Sequence, residues 1–382
     1  MATPPSVPAA HDVQRSKILL LGQRRSGKTS IHDVLFDDAN PKDTFYLEPT
    51  IRIHKNAYDS VIPLEIWDCP GTTTIDSLAA PLSDFDSIIY VIDIQDSYSQ
   101  PVSRLLDFFV AAYQENPEAN LEVFVHKAEA SSDDYKIEMF RHIQHRVIEE
   151  LLDISTDYEQ MPLNFHLTSI YDHSVHDAFS RVLHKLVDSL PYLEELLNAF
   201  CTNAQASKAF LFDVKSRLYV ATDASPVDAG THNLCCDYIK TLTDFAPLYK
   251  SASATPLRQL PPPPSLPPNS QPSSLPITAP HSPQPTPATI LPSNHRPRPT
   301  PASPPKHPTS STEAFNPSAS LALAGGTTLA FHQITPALAL LAVLPTSVYD
   351  AKRGLLEYNI VFFREGVQEI VDVEHEARAG ES

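Results

Sequence analysis

From Lys17 to about Leu190 the chain alternates short apolar runs with stretches of helical spacing. Ile18–Leu21, Ser87–Ile94 and Leu121–His126 are nearly unbroken apolar runs, as strands buried on both faces carry. Ile51–Tyr58 and Val61–Asp68 read as two further strands around a turn at Asp59-Ser60, and Leu163–Thr168 as the last of this series. Helices are predicted between them. One follows Lys28 with Ile31, Val34 and Leu35 on one face, and another runs over Val102–Tyr113. Asp133–Leu152 puts Ile137, Phe140, Ile143, Val147, Ile148 and Leu151 on one stripe, and Asp133 and Asp134 suit its positive N-terminus. Ser174–Leu190 is read as a helix stopped before Pro191. This alternation predicts an α/β fold, a mostly parallel six-stranded sheet with helices on both faces, over residues 15–190.

The pattern changes after Pro191. A helix over Tyr192–Asn203 precedes strands at Lys208–Val214 and Arg217–Ala221, and a second helix spans about Thr231–Phe245. Order is expected to resume with strands at Thr327–Gln333 and Ala337–Leu344 and a helix over about Arg353–Val371. Composition accounts for the gap between. Proline makes up 37 of 382 residues, and 21 of these lie between Pro256 and Pro317. Such a stretch cannot bury enough apolar surface to offset chain entropy. Residues 251–318 are therefore read as a disordered Pro/Ser-rich insertion that splits a second α/β domain, 191–382. Residues 1–14 read as a disordered leader, and there is no internal repeat.

The net charge of −18 argues against a nucleic-acid backbone or an anionic lipid surface as partner. The four cysteines lack C-x-x-C spacing and read as reduced thiols. No signal-peptide core or lipidation box is expected, and Leu321–Val348 is too interrupted to span a bilayer, so membrane residence would come through a partner.

The chemistry begins at Lys17–Ser30. Gly22, then four residues, then Gly27-Lys28-Thr29 is P-loop spacing, between a predicted strand and a predicted helix. Arg24, Arg25, Ser26, Gly27, Lys28, Thr29 and Ser30 are the candidate phosphate-binding residues, because curled backbone N–H groups at a helix N-terminus attract anions. Forty residues after Lys28 stands Asp68-Cys69-Pro70-Gly71. Asp68 at a strand end is a candidate for the Mg²⁺ shell with the Thr29 hydroxyl, and the Gly71 N–H for sensing a γ-phosphate. Thr50, between them, is a candidate for adding a hydroxyl to Mg²⁺ when a triphosphate is bound.

Val125-His126-Lys127-Ala128-Glu129 follows a late strand, where GTPases carry Asn-Lys-x-Asp to grip guanine. His126, Lys127 and Glu129 are the candidate guanine residues, with Ser169 and Ile170 near the guanine oxygen. Glu129 is one methylene longer than the usual aspartate, which would loosen guanine selectivity. Thr72-Thr73-Thr74 supplies no Gln to orient water, and Arg24 stands where fast GTPases have glycine; both predict slow hydrolysis of GTP to GDP and no confident catalytic residue. His142 and His145 have i, i+3 spacing, but no further ligands accompany them, and they read as solvated. The Pro261–Pro264 run could dock an SH3 or WW domain or serve as spacer.

These residues resemble a known family. Gly-Gln-Arg-Arg-Ser-Gly-Lys-Thr-Ser at 22–30, Trp67–Gly71 and His126-Lys127 are similar to the Rag GTPases, called Gtr proteins in fungi. Leu167–Ser174, Lys208–Val214, Ala221–Asp228 and Leu234–Asp237 resemble the C/D branch. The resemblance covers about 15–249 and, more faintly, 321–373. It implies a Ras-like GTPase domain followed by a roadblock/longin-like domain that pairs with a Rag A/B-type subunit. It also implies residence at the cytoplasmic face of the vacuolar or lysosomal membrane on a lipid-anchored scaffold complex, with amino-acid sufficiency signalled to target-of-rapamycin complex 1. A non-hydrolysing scaffold subunit is the alternative. A P-loop kinase or ATPase would instead show a lid with catalytic arginines and no base-selective lysine motif.

Overall fold

In the computed structural model the first sheet has strand order β2-β3-β1-β4-β5-β6. Its strands are β1 (Ser16–Gly22), β2 (His54–Asp59), β3 (Pro63–Asp68), β4 (Ser87–Asp93), β5 (Asn120–His126) and β6 (Leu163–Thr168). All neighbours pair in parallel except β2, which lies antiparallel on β3 at the edge. The structure describes residues 14–245 and 318–380, which fall in one compact unit. The expected leader, apart from Gln14, and the expected insertion, apart from Ser318, lie outside the described residues, as does the Pro261–Pro264 run. Ser318 opens a strand.

Helices α1 (Lys28–Phe36) and α4 (Ser174–His184) pack on one face of this sheet. Helices α2 (Ser99–Glu115) and α3 (Asp133–Ile154) cover the other. Two helical expectations change. The helix predicted over Ser174–Leu190 ends at His184, and the helix expected over Tyr192–Asn203, α5 (Leu190–Ala204), starts earlier, with Pro191 in its first turn. Proline has no N–H to lose there, so it opens a helix as readily as it closes one. On α3 only Ile143, Val147 and Leu151 of the expected stripe are buried, Phe140 is partly buried, and Ile137 and Ile148 are exposed.

The second sheet is antiparallel, in order β8-β7-β11-β10-β9. It comprises β7 (Lys208–Asp213), β8 (Tyr219–Thr222), β9 (Ser318–Leu323), β10 (Thr327–Gln333) and β11 (Leu338–Pro345). Strand β9 is an addition to the expected strands; it carries small and apolar residues at the edge of the sheet, and among the described residues it pairs on one side only, with β10. Helix α6 (Ala229–Phe245) covers one face. On the other face lie α5 and the long α8 (Arg353–Gly380), which follows the short α7 (Thr346–Ala351).

One apolar core runs beneath both sheets, from Ile18 and Leu20 through Phe179 and Leu197 to Leu211, Leu340 and Phe363. Polar ties reinforce it. The Ser60 hydroxyl donates to Asp213 Oδ2 at 2.6 Å, Arg217 Nη1 to Asp38 Oδ1 at 2.8 Å, and the Tyr219 hydroxyl to Asp177 Oδ1 at 2.7 Å.

Candidate functional site

The loop between β1 and α1 turns on two glycines. Gly22 has φ +141, and a Cβ there would lie 2.3 Å from the Val91 carbonyl oxygen; Gly27 has φ +104, with its Cβ position 2.5 Å from His126 Cδ2. Side chains rarely adopt these angles and have no room here. No side chain among the described residues caps α1, so its first N–H groups remain available to a ligand.

A cleft of about 570 Å³ opens above this loop. Arg24, Arg25, Gly27, Lys28, Thr29, Ser30 and Gly71 line it, whereas Ser26 is buried below, its hydroxyl unpartnered among the described residues. Lys28 Nζ donates to the carbonyls of Gly22 and Gln23, each at 2.8 Å. Burial pulls its pKa down to about 8, against the pull of Asp68 and Cys69. A desolvated ammonium facing a cleft favours an anion that restores its lost hydration.

The three candidate metal residues converge. Thr29 Oγ1 donates to Asp68 Oδ2 at 2.6 Å and lies 2.7 Å from Thr50 Oγ1, which is 3.4 Å from the same carboxylate oxygen. Asp68 Oδ1 is buried without a partner among the described residues. Two hydroxyls and a carboxylate with a spare oxygen form a hard-oxygen set that fits Mg²⁺. Thr50 sits on an extended loop after a short turn at Asp43–Tyr46, with Phe45, Tyr46 and Ile51 all more than 80% exposed.

At the opposite end Lys127 adopts φ 63. Its Nζ donates to Asp93 Oδ2 at 2.5 Å and to the Arg25 carbonyl at 2.8 Å. His126 is buried, with Nδ1 3.0 Å from the Thr168 hydroxyl. Burial, helped by the Lys127 charge, lowers its pKa to about 3, so the ring is neutral and packs on Gly27 without a charge. Glu129, Ile170 and Tyr171 line the cleft, and Glu129 is exposed. Ser169 lies outside the lining; its N–H donates to the Ser174 hydroxyl at 2.8 Å.

His142 pairs with the Tyr98 hydroxyl at 2.6 Å and His145 with Glu149. Among the described residues the only cluster of three His, Cys, Asp or Glu side chains with metal-like spacing is His32, Asp33 and Asp37. Its histidine is taken up by Asp33, Asn56 and Tyr58. The four cysteines are free, and burial raises Cys69, Cys201 and Cys235 to about 12, leaving inert thiols. No helix among the described residues is long and apolar enough to cross a membrane. Sequence reading missed Asp93, which ends β4 as Asp68 ends β3, and Arg104 of α2, which donates to the Gly71 carbonyl at 2.8 Å. The first carried a signal in that shared position; the second carried none.

Comparison with known proteins adds relatives. The Gtr1/RagA G protein conserved region matches residues 17–239. Ras-related GTP-binding protein C of Homo sapiens is 44% identical over 251 residues, covering 63% of this chain and 62% of that protein. GTP-binding protein gtr2 of Schizosaccharomyces pombe is 44% identical over 244 residues, covering 62% of this chain and 76% of its own length. GTP-binding protein gtr1 of the same yeast reaches 27% over 226 residues, covering 57% and 71%. The alignment thus spans under two thirds of the human relative, and identity falls sharply from the C-type and gtr2 proteins to gtr1. The family match over more than half of the chain, with that fall in identity, places it in the Gtr1/RagA family of G proteins, on the Rag C/D and Gtr2 side.

Proposed function

We propose that this chain is a guanine-nucleotide-binding switch that alternates between GTP and GDP. The observation that carries this is the cluster of Thr29, Thr50 and Asp68 beside the desolvated Lys28. Thr29 and Asp68 would hold Mg²⁺, and Thr50 would join them only with a triphosphate. Bound there, the ion neutralises charge on the outer phosphates. Lys28 binds those phosphates from below. The α1 N-terminus receives them through backbone N–H groups. Lys127 lays its stem under the base, held by Asp93, while Glu129 accepts from the guanine edge.

Hydrolysis is slow and depends on a partner, because Thr72, Thr73 and Thr74 offer no carboxamide to orient water. That absence also favours the second reading, a subunit that binds nucleotide without hydrolysing it. Residues 15–190 form the nucleotide domain, and 191–382 a roadblock-type dimerisation domain. The edge strand β9 and the exposed Tyr358 and Phe362 of α8 favour pairing with a Rag A/B-type subunit. The heterodimer works at the vacuolar or lysosomal surface on a lipid-anchored scaffold and reports amino-acid sufficiency to target-of-rapamycin complex 1.

The decisive experiment measures GDP and GTP binding with single-turnover hydrolysis, for the full chain alone and with its partner subunit. Micromolar or tighter binding of both nucleotides, with hydrolysis accelerated by a partner, is expected. Binding without any turnover would leave the scaffold reading standing; no nucleotide affinity would sink both.

A further inference from the structure

Gly71 is fixed on three sides. Beneath it is the phosphate loop: a Cβ on Gly71 would stand 2.2 Å from the Arg24 backbone nitrogen and 2.6 Å from Arg24 Cα. Ahead of it is the cleft, which it lines. Behind it is Arg104, whose Nη1 donates to the Gly71 carbonyl at 2.8 Å. The Gly71 N–H finds no acceptor among the described residues, although the neighbouring turn is closed by the Thr73 N–H on the Pro70 carbonyl at 3.0 Å. The carbonyl of this residue is therefore held while its N–H is left free at the cleft wall.

Arg104 is an unusual residue to find there. It lies in the middle of α2, between Val102 and Leu105, both fully buried, and it is itself half-buried. It forms no ion pair among the described residues, so its charge is not balanced by a carboxylate. A partly desolvated guanidinium that spends a donor on one backbone carbonyl both orients that peptide and leaves positive potential next to it. No glutamine follows Gly71 to take over its placement.

We propose that Arg104 is a positioning residue for nucleotide discrimination: by clamping the Gly71 carbonyl it holds the free Gly71 N–H where a terminal phosphate arrives, favouring GTP over GDP. This rests on the nucleotide-switch reading above. Only a ligand with a γ-phosphate uses that N–H, so the clamp acts on the triphosphate and leaves the diphosphate almost untouched. Preorganisation of this kind removes an ordering cost that GTP would otherwise meet on binding.

The test uses the full chain with Arg104→Met, which keeps the aliphatic stem and removes the donor. The dissociation constant for a non-hydrolysable GTP analogue should rise about ten-fold, as loss of a charge-assisted hydrogen bond implies. That for GDP should change less than about two-fold, within the usual scatter of such measurements. The melting temperature of the GDP-bound protein should stay put. In the unsubstituted chain the Gly71 amide resonance should shift on replacing GDP by the analogue, and in the variant that shift should shrink. If Arg104→Met does not fold, Arg104→Lys, which retains charge and a shorter donor, should give an intermediate GTP to GDP ratio. Equal weakening of both nucleotides, or no change in either, would overturn the inference while leaving the switch reading intact. If the unsubstituted chain binds neither nucleotide, the switch reading falls and the inference with it.

Discussion

The two ends of the cleft are built differently. At the phosphate end, Lys28, Thr29, Thr50 and Asp68 contact one another or the loop carbonyls, and Lys28 and Asp68 are withdrawn from water. At the base end, Lys127 is pinned by Asp93, but Glu129 is exposed and the Ser169 N–H is spent on Ser174. One end is built from groups that bond to one another; the other presents a side chain to solvent. Affinity should therefore reside mainly with the phosphates, and base selectivity should be the weaker and more adjustable property.

Substitution at the phosphate end should break this contrast most severely. Lys28→Met removes a buried charge that faces the anion, and affinity for both nucleotides should fall by about 100-fold or more, read by fluorescent-nucleotide titration. Next in size is Gly27→Ala. Its φ of +104 and the nearby His126 ring should cost about 2 kcal/mol of stability, measured as a lowered urea midpoint. A pH series tests two buried histidines: His126, which packs on Gly27 of the loop, and His232 of α6, which packs on Phe212 and Tyr219 of the second sheet. His126 at about 3 and His232 at about 4 are held neutral by burial. Their folded pKa values lie below the unfolded value near 6.5. The stability they confer is whole above about pH 6.5 and is lost as pH falls toward the folded values. Each histidine should contribute a slope of about 1.4 kcal/mol per pH unit in that window, because the unfolded chain takes the proton first. Unfolding midpoints at pH 7 and pH 5 check this, and equal midpoints would contradict it. The smallest change should come at the base end. Glu129→Asp should raise the preference for GTP over ITP by about five-fold, the worth of one better-made hydrogen bond, in a competition assay.

The parallel sheet was legible because its strands are continuous apolar runs separated by helical spacing, and the P-loop because its glycines sit where backbone geometry admits nothing else. Thr50 and Asp68 are separated from Lys28 in sequence, yet order along the sheet brings them together. What escaped notice has a common cause. On α3, periodicity marked a wider stripe than the sheet could cover, so Ile137 and Ile148 stay in water. Pro191 separates the two expected helices, but it stands inside the first turn of the second rather than between them. Arg104, and the tie between Ser60 and Asp213, join segments far apart in the chain, and no local pattern records such contacts.

Arg378, near the end of α8, donates to the Ser16 hydroxyl at 3.0 Å and to the Leu186 carbonyl at 3.1 Å. Ser16 is the first residue of β1, the strand that feeds the phosphate loop. A ribosome making this chain releases the loop hundreds of residues before it releases the arginine that ties down the strand's far end. The nucleotide half therefore takes one of its ties from a helix 362 residues further along the chain, and a product truncated within α8 would carry the phosphate loop on a strand whose start is held by its pairing with β3 and by Asp86 but has lost the arginine.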